Sequence, residues 1–155
     1  MPKLYRYKKI TDAYTTHTVQ AEGLVELCEL DGDTIISVPD DAKLEASKVL
    51  TVQPVELTEE LAAAIKEKSD VVQMVNTMVV EKIREKYDIN DELKIIKKML
   101  QCLVNKTTPD AETLKQYTDY IAYTDTCTAW GTEEKTALGV EMKVVEAGEI
   151  GEIIK

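Results

Sequence analysis

The chain has 155 residues, enough for one domain or two small ones, and its formal net charge is −10 at pH 7. Such an acidic protein lacks the basic patch that nonspecific binding to nucleic acid or to an anionic membrane requires, so we expect neither partner. The chain has no Phe and one Trp, and seven Tyr supply the other aromatic rings. Because Tyr is amphipathic, these rings either fill a thin core or serve at an interface.

The sequence does not favour metal or membrane chemistry. Cys28, Cys102 and Cys127 form no CxxC pair, and His17 is the only histidine, so a zinc site lacks closely spaced ligands. Dispersed cysteines in odd number are typical of buried free thiols in a reducing compartment. No segment has the apolar run of a signal peptide or the ~18 apolar residues of a membrane span. We therefore expect a soluble protein, made in the cytoplasm, without a cofactor.

Residues 1–57 are predicted to form short strands with tight turns. The clearest signal is a hairpin in which the β-prone segments 24–30 and 33–38 pair across Asp31-Gly32. Asp-Gly favours a type I′ turn, because that turn needs a positive φ at both central residues.

Three other segments have the composition of strands. Segments 14–21 and 49–53 are predicted to join the hairpin in a small sheet or sandwich, with Pro54 ending the second of them. The tail, 139–155, contains further β-type residues, and it is either an edge strand of that sheet or an arm that adds to a neighbour's sheet.

The helical pattern begins at Thr58, a predicted N-cap for a helix that runs to about Lys68. Ser69-Asp70 predicts the start of a second helix. Its apolar residues follow a helical period of 3-4-4-4 and are expected to form a core or a helix–helix seam: Val72, Val75, Val79, Ile83 and Tyr87, with Met74 in the same buried seam.

A third helix is predicted from 91 to about 104, with Asn90 as its cap. Lysines lie mostly opposite its apolar face, which comprises Leu93, Ile96, Leu100 and Leu103.

A fourth helix is predicted to start at the Thr-Thr-Pro-Asp segment 107–110, with Thr as the cap and Pro at the first helical position. It would run to about 137, and Gly139 would end it. Gly131 lies inside this helix and predicts a kink or a close contact there.

No catalytic constellation is recognisable. The chain lacks GxGxxG, GxxxxGK[ST] and GxSxG, and His17 is predicted to be an ordinary strand residue. Four aspartates crowd two turns without the spacing of an EF-hand, so turn formation explains them without a calcium site: Asp31, Asp33, Asp40 and Asp41. We therefore expect no enzymatic activity.

One helical face in the second half combines aromatic and thiol side chains in steps of 3, 4 and 3. It is either a core seam or a face that docks a partner. The candidate interface comprises this series, the preceding tyrosine and two methionines: Tyr117, Tyr120, Tyr123, Cys127, Trp130, Met74 and Met78.

The segment 81–96, EKIREKYDINDELKII, precedes a Tyr-x-x-Tyr-x-x-Tyr-x-x-x-Cys pattern that begins at Tyr117. Residues 80–138 therefore resemble a helical segment of small accessory proteins of tailed bacteriophages and prophages. In those proteins an IR-x-K-Y-x-x-x-D-E helix junction precedes a Y-x-x-Y-x-x-x-C helix. The resemblance implies a head-fibre, tail or assembly-accessory protein, and it brings no site residues with it.

We thus predict an α+β protein with a β-rich unit at 1–57, a module of three or four helices at 58–138 and a tail at 139–155. The predicted function is a non-enzymatic structural component of the bacteriophage virion, of the head-fibre, capsid-decoration or connector type. It would form a homo-oligomer and contact other capsid or tail proteins. Two alternatives stay open: an assembly chaperone that is absent from the mature particle, and a small ligand-binding or hydrolytic domain.

Overall fold

A computed structural model describes residues 1–142, and the predicted α+β class is confirmed, with antiparallel strands followed by helices. The chain divides into two compact units. The first, called the sheet unit, comprises Met1–Val72 and the segment that begins at Lys135. The second, called the helical unit, is Gln73–Glu134. The tail predicted to be a strand or an arm lies, from residue 143 onward, outside the described residues.

In the described part of the chain the strands are β1 (Lys3–Tyr7), β2 (Ile10–Thr11), β3 (Thr16–His17), β4 (Val25–Leu30), β5 (Asp33–Val38) and β6 (Gln53–Val55). The main sheet is antiparallel and has the strand order β4-β5-β1-β6, while β2 and β3 form a separate two-stranded ribbon.

The predicted hairpin is confirmed as β4 and β5. Asp31 and Gly32 connect the two strands with φ angles of 52° and 82°, which are the positive values that a type I′ turn needs. A shift of register between Glu26 and Cys28 adds a bulge to β4.

Two predicted strands lie elsewhere or are shorter. The prediction for 14–21 was largely wrong, because the carboxylate of Asp12 accepts hydrogen bonds from the backbone of Tyr14 and Thr15 and holds a turn there. The prediction that Pro54 ends a strand was also wrong. Pro54 lies within β6, where it is tolerated because β6 is an edge strand.

The central strand β5 is buried on both faces. Ile35 and Ile36 point to opposite sides of the sheet, and neither side chain is exposed. Ile35 packs in a core with Leu4 and with Ile65 of the first helix, whereas Ile36 packs in a second core with Val38 and Tyr7. The sheet unit therefore includes the first helix, and the division of the chain differs from a boundary at residue 57.

The helices are α1 (Glu59–Lys68), α2 (Asp70–Lys86), α3 (Ile89–Val104) and α4 (Ala111–Ala137). Thr58 is confirmed as the N-cap of α1, since its hydroxyl accepts from the backbone of Leu61 at 3.1 Å. The Ser69 hydroxyl accepts from Val72 at 3.3 Å, as expected of a residue that caps α2. Gly139, with a φ of 74°, follows the end of α4 as predicted.

Two cap predictions were wrong by a few residues. Asp88 rather than Asn90 caps α3, and its carboxylate accepts from the backbone of Asn90 and Asp91. At the start of α4, Asp110 takes the role that the sequence assigned to threonine, because its carboxylate accepts from Thr113 at 2.7 Å. A charged carboxylate at a helix N-terminus also interacts favourably with the helix dipole.

At Gly131, α4 packs closely against Val75 and Val79 of α2. A Cβ atom at this position would clash with Cγ2 of Val79, so only glycine fits without a shift of that side chain or of one helix. The close contact that the sequence predicted at Gly131 is therefore confirmed.

We expect Gly131→Ala to destabilise the helical unit. Overpacking costs about 1–3 kcal/mol, and Val79 cannot easily turn away because a β-branched side chain has one favoured rotamer in a helix. The higher helix propensity of Ala stabilises the helix by about 1 kcal/mol and so offsets part of the overpacking cost. In a Val79→Ala background, where the methyl group has room, the same change should become neutral or stabilising. Denaturant unfolding followed by the fluorescence of Trp130 checks this, and stabilisation by Gly131→Ala in the wild-type background would contradict it.

Candidate interaction surface

Most of the predicted aromatic interface is used inside the helical unit. Tyr120 and Cys127 are buried, and Tyr117, Tyr123 and Trp130 are half-buried. A buried side chain cannot reach a partner unless the unit opens. For Tyr120 and Cys127, the structure therefore favours the core seam that the sequence left open beside a docking face.

Tyr87, which directly follows α2, forms a ring cluster with two tyrosines of α4. The ring of Tyr87 meets that of Tyr120 edge-on at a centroid distance of 5.2 Å and that of Tyr123 at 5.7 Å. Such edge-to-face pairs stabilise beyond the area they bury. The Tyr123 hydroxyl donates to the backbone carbonyl of Lys82 at 2.8 Å, so its polar end is also satisfied.

Glu92 joins all three helices of the helical unit. From α3, its carboxylate accepts a hydrogen bond from the hydroxyl of Tyr120 on α4, and its Oε2 lies 2.7 Å from Nη1 of Arg84 on α2. The hydrogen bond from Tyr120 and the charge of Arg84 lower the pKa of Glu92. Burial, with the neighbouring carboxylate, raises the pKa of Tyr120 to about 12.

Two lysines cover aromatic rings at the edge of this cluster. Nζ of Lys82 lies 4.6 Å from the ring centre of Trp130, and Nζ of Lys86 lies 4.6 Å from that of Tyr123. These cation–π contacts occupy ring faces that a partner would otherwise meet.

The methionines lie outside the seam. Met74 is 59% exposed and Met78 39% exposed, so the expectation that Met74 is buried was wrong. Val75, the next residue after Met74, is buried as predicted, and Val79 is half-buried. Successive helical residues differ by about 100° around the axis, so the two methionines form a separate row beside the valine seam.

Among residues 1–142, α3 carries more exposed large apolar side chains than any other helix or strand. Leu93, Leu100 and Leu103 are 59%, 53% and 69% exposed, and Val104 is 78% exposed. Successive members are separated by turns of the same helix, so they share one side of it. This surface, called the α3 face, comprises Ile89, Leu93, Ile96, Leu100, Leu103 and Val104.

No residue of α3 is fully buried in the described structure. Its inner side, with Ile95, Met99 and Cys102, is only half-buried. Soluble monomers rarely leave a continuous apolar surface of this kind in water, and such surfaces typically mark protein–protein contacts. The α3 face is therefore the strongest candidate interaction surface in the part of the chain described.

Sequence reasoning recognised this apolar side but did not assign it to an interface. The missed signal is the width of the apolar arc. Ile95, Met99 and Cys102 supply one apolar row, and the α3 face supplies a second row beside it. A helix in a three-helix unit needs one such row for its neighbours, so the second row is in excess.

The acidic turns do not assemble a metal site in the structure. Asp33 accepts from Arg6 at 2.7 Å and Asp40 lies 3.3 Å from Lys3, so both carboxylates have cationic partners within the chain. The two turns also lie at opposite ends of β5, about 17 Å apart at ~3.3 Å per residue. Among residues 1–142, no group of three or more potential ligands is arranged to hold a metal ion.

His17 contacts the carboxylate of Asp12. Its Nε2 lies 3.0 Å from Oδ2 of Asp12, at the base of the turn between β2 and β3. The same carboxylate binds the backbone of Tyr14 and Thr15, and these contacts lower the pKa of Asp12. The pair therefore holds a turn.

No family model, no curated protein and no solved structure matches this chain. Within residues 1–142, no helix combines the length and the apolar character that a membrane crossing requires.

We expect Tyr120→Phe to lower the free energy of unfolding of the helical unit by about 1–3 kcal/mol, because a hydrogen bond to a charged group is lost. The wild type should also lose stability between about pH 10 and 12. In this range Tyr120 ionises in the unfolded chain but keeps its proton in the folded one, where its pKa is raised to about 12. Tyr120→Phe should lack this contribution.

Tyr117→Phe is the matched control, because no hydrogen bond joins the Tyr117 hydroxyl to another described residue. Unfolding followed by Trp130 fluorescence across this pH range compares the three proteins. Equal stability of the Tyr120 and Tyr117 variants would show that the hydrogen bond from Tyr120 to Glu92 does not stabilise the helical unit.

Proposed function

We propose that this chain is a non-enzymatic assembly protein that attaches to other structural proteins through the α3 face. The observation that carries the proposal is the row of large apolar side chains on a helix without a buried residue. All of them except the half-buried Ile96 are more than half exposed. A protein partner can cover such a row with apolar surface of its own, whereas a small polar substrate cannot.

The expected gain is of the size that assembly needs. Burying a Leu, Ile or Val side chain completely contributes ~1.5–3 kcal/mol. With about half of that still to be gained at five positions, and less at the half-buried Ile96, the α3 face offers on the order of 4–8 kcal/mol. Association costs roughly 4–15 kcal/mol in lost freedom. One α3 face alone thus gives weak affinity at most, which suits a protein that binds at many repeated positions of a larger particle.

The setting we propose is the virion of a tailed bacteriophage, with capsid or tail proteins as partners. Support comes from the resemblance of residues 80–138 to phage accessory proteins. The residues that carry that resemblance include Arg84, Tyr87 and Glu92 in the junction and Tyr120 and Tyr123 in the following helix. In the structure these residues form the network that holds α3 against α2 and α4. The residues of this motif therefore fix the position of α3 relative to α2 and α4.

We expect the protein in gradient-purified phage particles from the source strain at a fixed ratio to the major capsid protein, measured by quantitative mass spectrometry. A high copy number would indicate shell decoration, and a low one a ring in the neck or tail. Absence from particles, with abundance in the infected-cell lysate, would contradict the virion role and favour the assembly chaperone.

Phage carrying Leu100→Glu with Leu103→Glu should lose the protein from its particles, because both charges lie on the α3 face. Val49→Glu is the matched control, since Val49 is 53% exposed in the sheet unit and outside this surface. Trp130 fluorescence confirms that each variant is folded. Retention of the doubly substituted protein would show that attachment does not use α3.

A further inference from the structure

A tyrosine protrudes from the tip of the β2–β3 ribbon. Among the large apolar and aromatic side chains of residues 1–142, that of Tyr14 is the most exposed, at 99%, so its ring adds almost nothing to packing within the described chain. The ribbon is also separate from the main sheet. Because an isolated two-stranded ribbon is only marginally stable in water, further contacts are needed to hold this one in shape.

Hydrogen bonds fix the turn that carries this ring. Oδ1 of Asp12 accepts from the backbone N–H groups of Tyr14 and Thr15, each at 2.9 Å, and the backbone N–H of Asp12 donates to the carbonyl of Thr15 at 3.0 Å. Behind the turn, the hydroxyls of Thr11 and Thr16 lie 3.2 Å apart across the two strands. The backbone that presents Tyr14 is therefore fixed before a partner binds.

The tip has the chemistry of a rigid aromatic anchor. A tyrosine has two side-chain torsions, so ordering it costs little conformational entropy, and tyrosine is enriched among the residues that dominate the binding energy of protein interfaces. Its neighbours Ala13, Thr15 and Thr16 are exposed and uncharged, and the carboxylate of Asp12 is used within the turn. A protruding, uncharged phenol fits a concave pocket with apolar walls and one hydrogen-bonding group for the hydroxyl.

Attachment through the α3 face alone leaves a need for such an anchor. The gain from covering that face barely matches the cost of association, so a chain held only there would dissociate readily. A second contact from the same chain forms at a high effective concentration once the first exists, and it raises the affinity without a larger α3 face. Tyr14 belongs to the sheet unit and α3 to the helical unit, so the two contacts use different parts of the chain.

We propose that Tyr14 is an anchor that inserts into an uncharged pocket of the structural protein to which this chain attaches. The inference rests on the proposed assembly function and adds a second contact to it. Asp12 is a positioning residue, because it fixes the turn and thereby lowers the cost of ordering the ring on binding. A second copy of the chain is a poor occupant, since two protruding tips that meet across a two-fold axis cannot enclose each other.

The test uses phage particles that lack this protein, to which the purified full chain is added, and cosedimentation measures the apparent Kd. Tyr14→Ala should weaken binding about 30-fold, as truncation of an interface hot spot does. Its unfolding should match that of the wild type, because the ring is exposed. Tyr14→Phe keeps the ring and should bind with intermediate affinity. Val49→Ala, the matched control, removes another exposed side chain of the sheet unit and should change nothing.

Two further comparisons examine the turn and the pocket. Asp12→Ala should weaken binding several-fold, and Asp12→Asn, which keeps an oxygen that accepts the same backbone hydrogen bonds, should restore it. The ratio of the Kd values of Tyr14→Ala and the wild type should be the same at low and high salt, because the contact involves no charge. A ratio that collapses at high salt would overturn the uncharged pocket.

The outcomes separate this inference from the proposed function. Equal binding of the wild type and Tyr14→Ala would overturn the anchor and leave attachment through α3 standing. If Tyr14→Ala binds weakly while Leu100→Glu with Leu103→Glu binds normally, the anchor stands and the α3 proposal falls. A wild type that does not bind particles would overturn both. Sedimentation of the free chain tests the second copy, and self-association that Tyr14→Ala abolishes would overturn the partner pocket.

Discussion

The helical unit depends on one carboxylate. Glu92 lies in the first turn of α3 and binds both Arg84 of α2 and Tyr120 of α4. Because α3 has no fully buried residue, apolar burial alone holds it weakly. The charge-assisted contacts of Glu92 are strong and directional, so they fix the helix in one rotation about its axis. That rotation turns Ile95, Met99 and Cys102 inward and leaves Leu93, Leu100 and Leu103 in water.

In this arrangement different residues hold the helical unit together and form its exposed apolar surface, although both sets lie close together in the sequence. The tyrosines, the arginine and the glutamate of the helical unit act within that unit, as ring contacts, an ion pair and hydrogen bonds. The leucines that face outward take no part in these contacts. They, rather than the internal network, form the surface on which the choice of a partner would depend.

The sequence predicted those features that depend on local chemistry. The Asp31-Gly32 turn, the Thr58 cap and the close contact at Gly131 follow from the conformations that these residues allow, and all three are present. Cap positions at α3 and α4 were missed because several residues at each start can accept the same backbone hydrogen bonds.

The remaining differences from the prediction have a local cause in one case and a long-range cause in the other. A strand was expected at 14–21 from its composition, but Asp12 holds a turn, a choice that composition cannot reveal. Tyr120 and Leu100 are both large and both lie on apolar helical faces, yet one is buried and the other exposed. Which face meets a neighbour depends on how three helices are arranged, and periodicity specifies only that a face exists.

The contrast between β5 and α3 has a consequence for local stability. Backbone amides near Ile35 and Ile36 lie in a central strand buried on both faces, so they exchange with solvent only when much of the sheet unit opens. Amides of α3 need only a local opening, because few buried contacts are broken when that helix frays. The helix that a partner would cover is therefore one whose amides the chain itself protects weakly. Binding of a partner would slow the exchange of these amides, because it would suppress the local opening of α3.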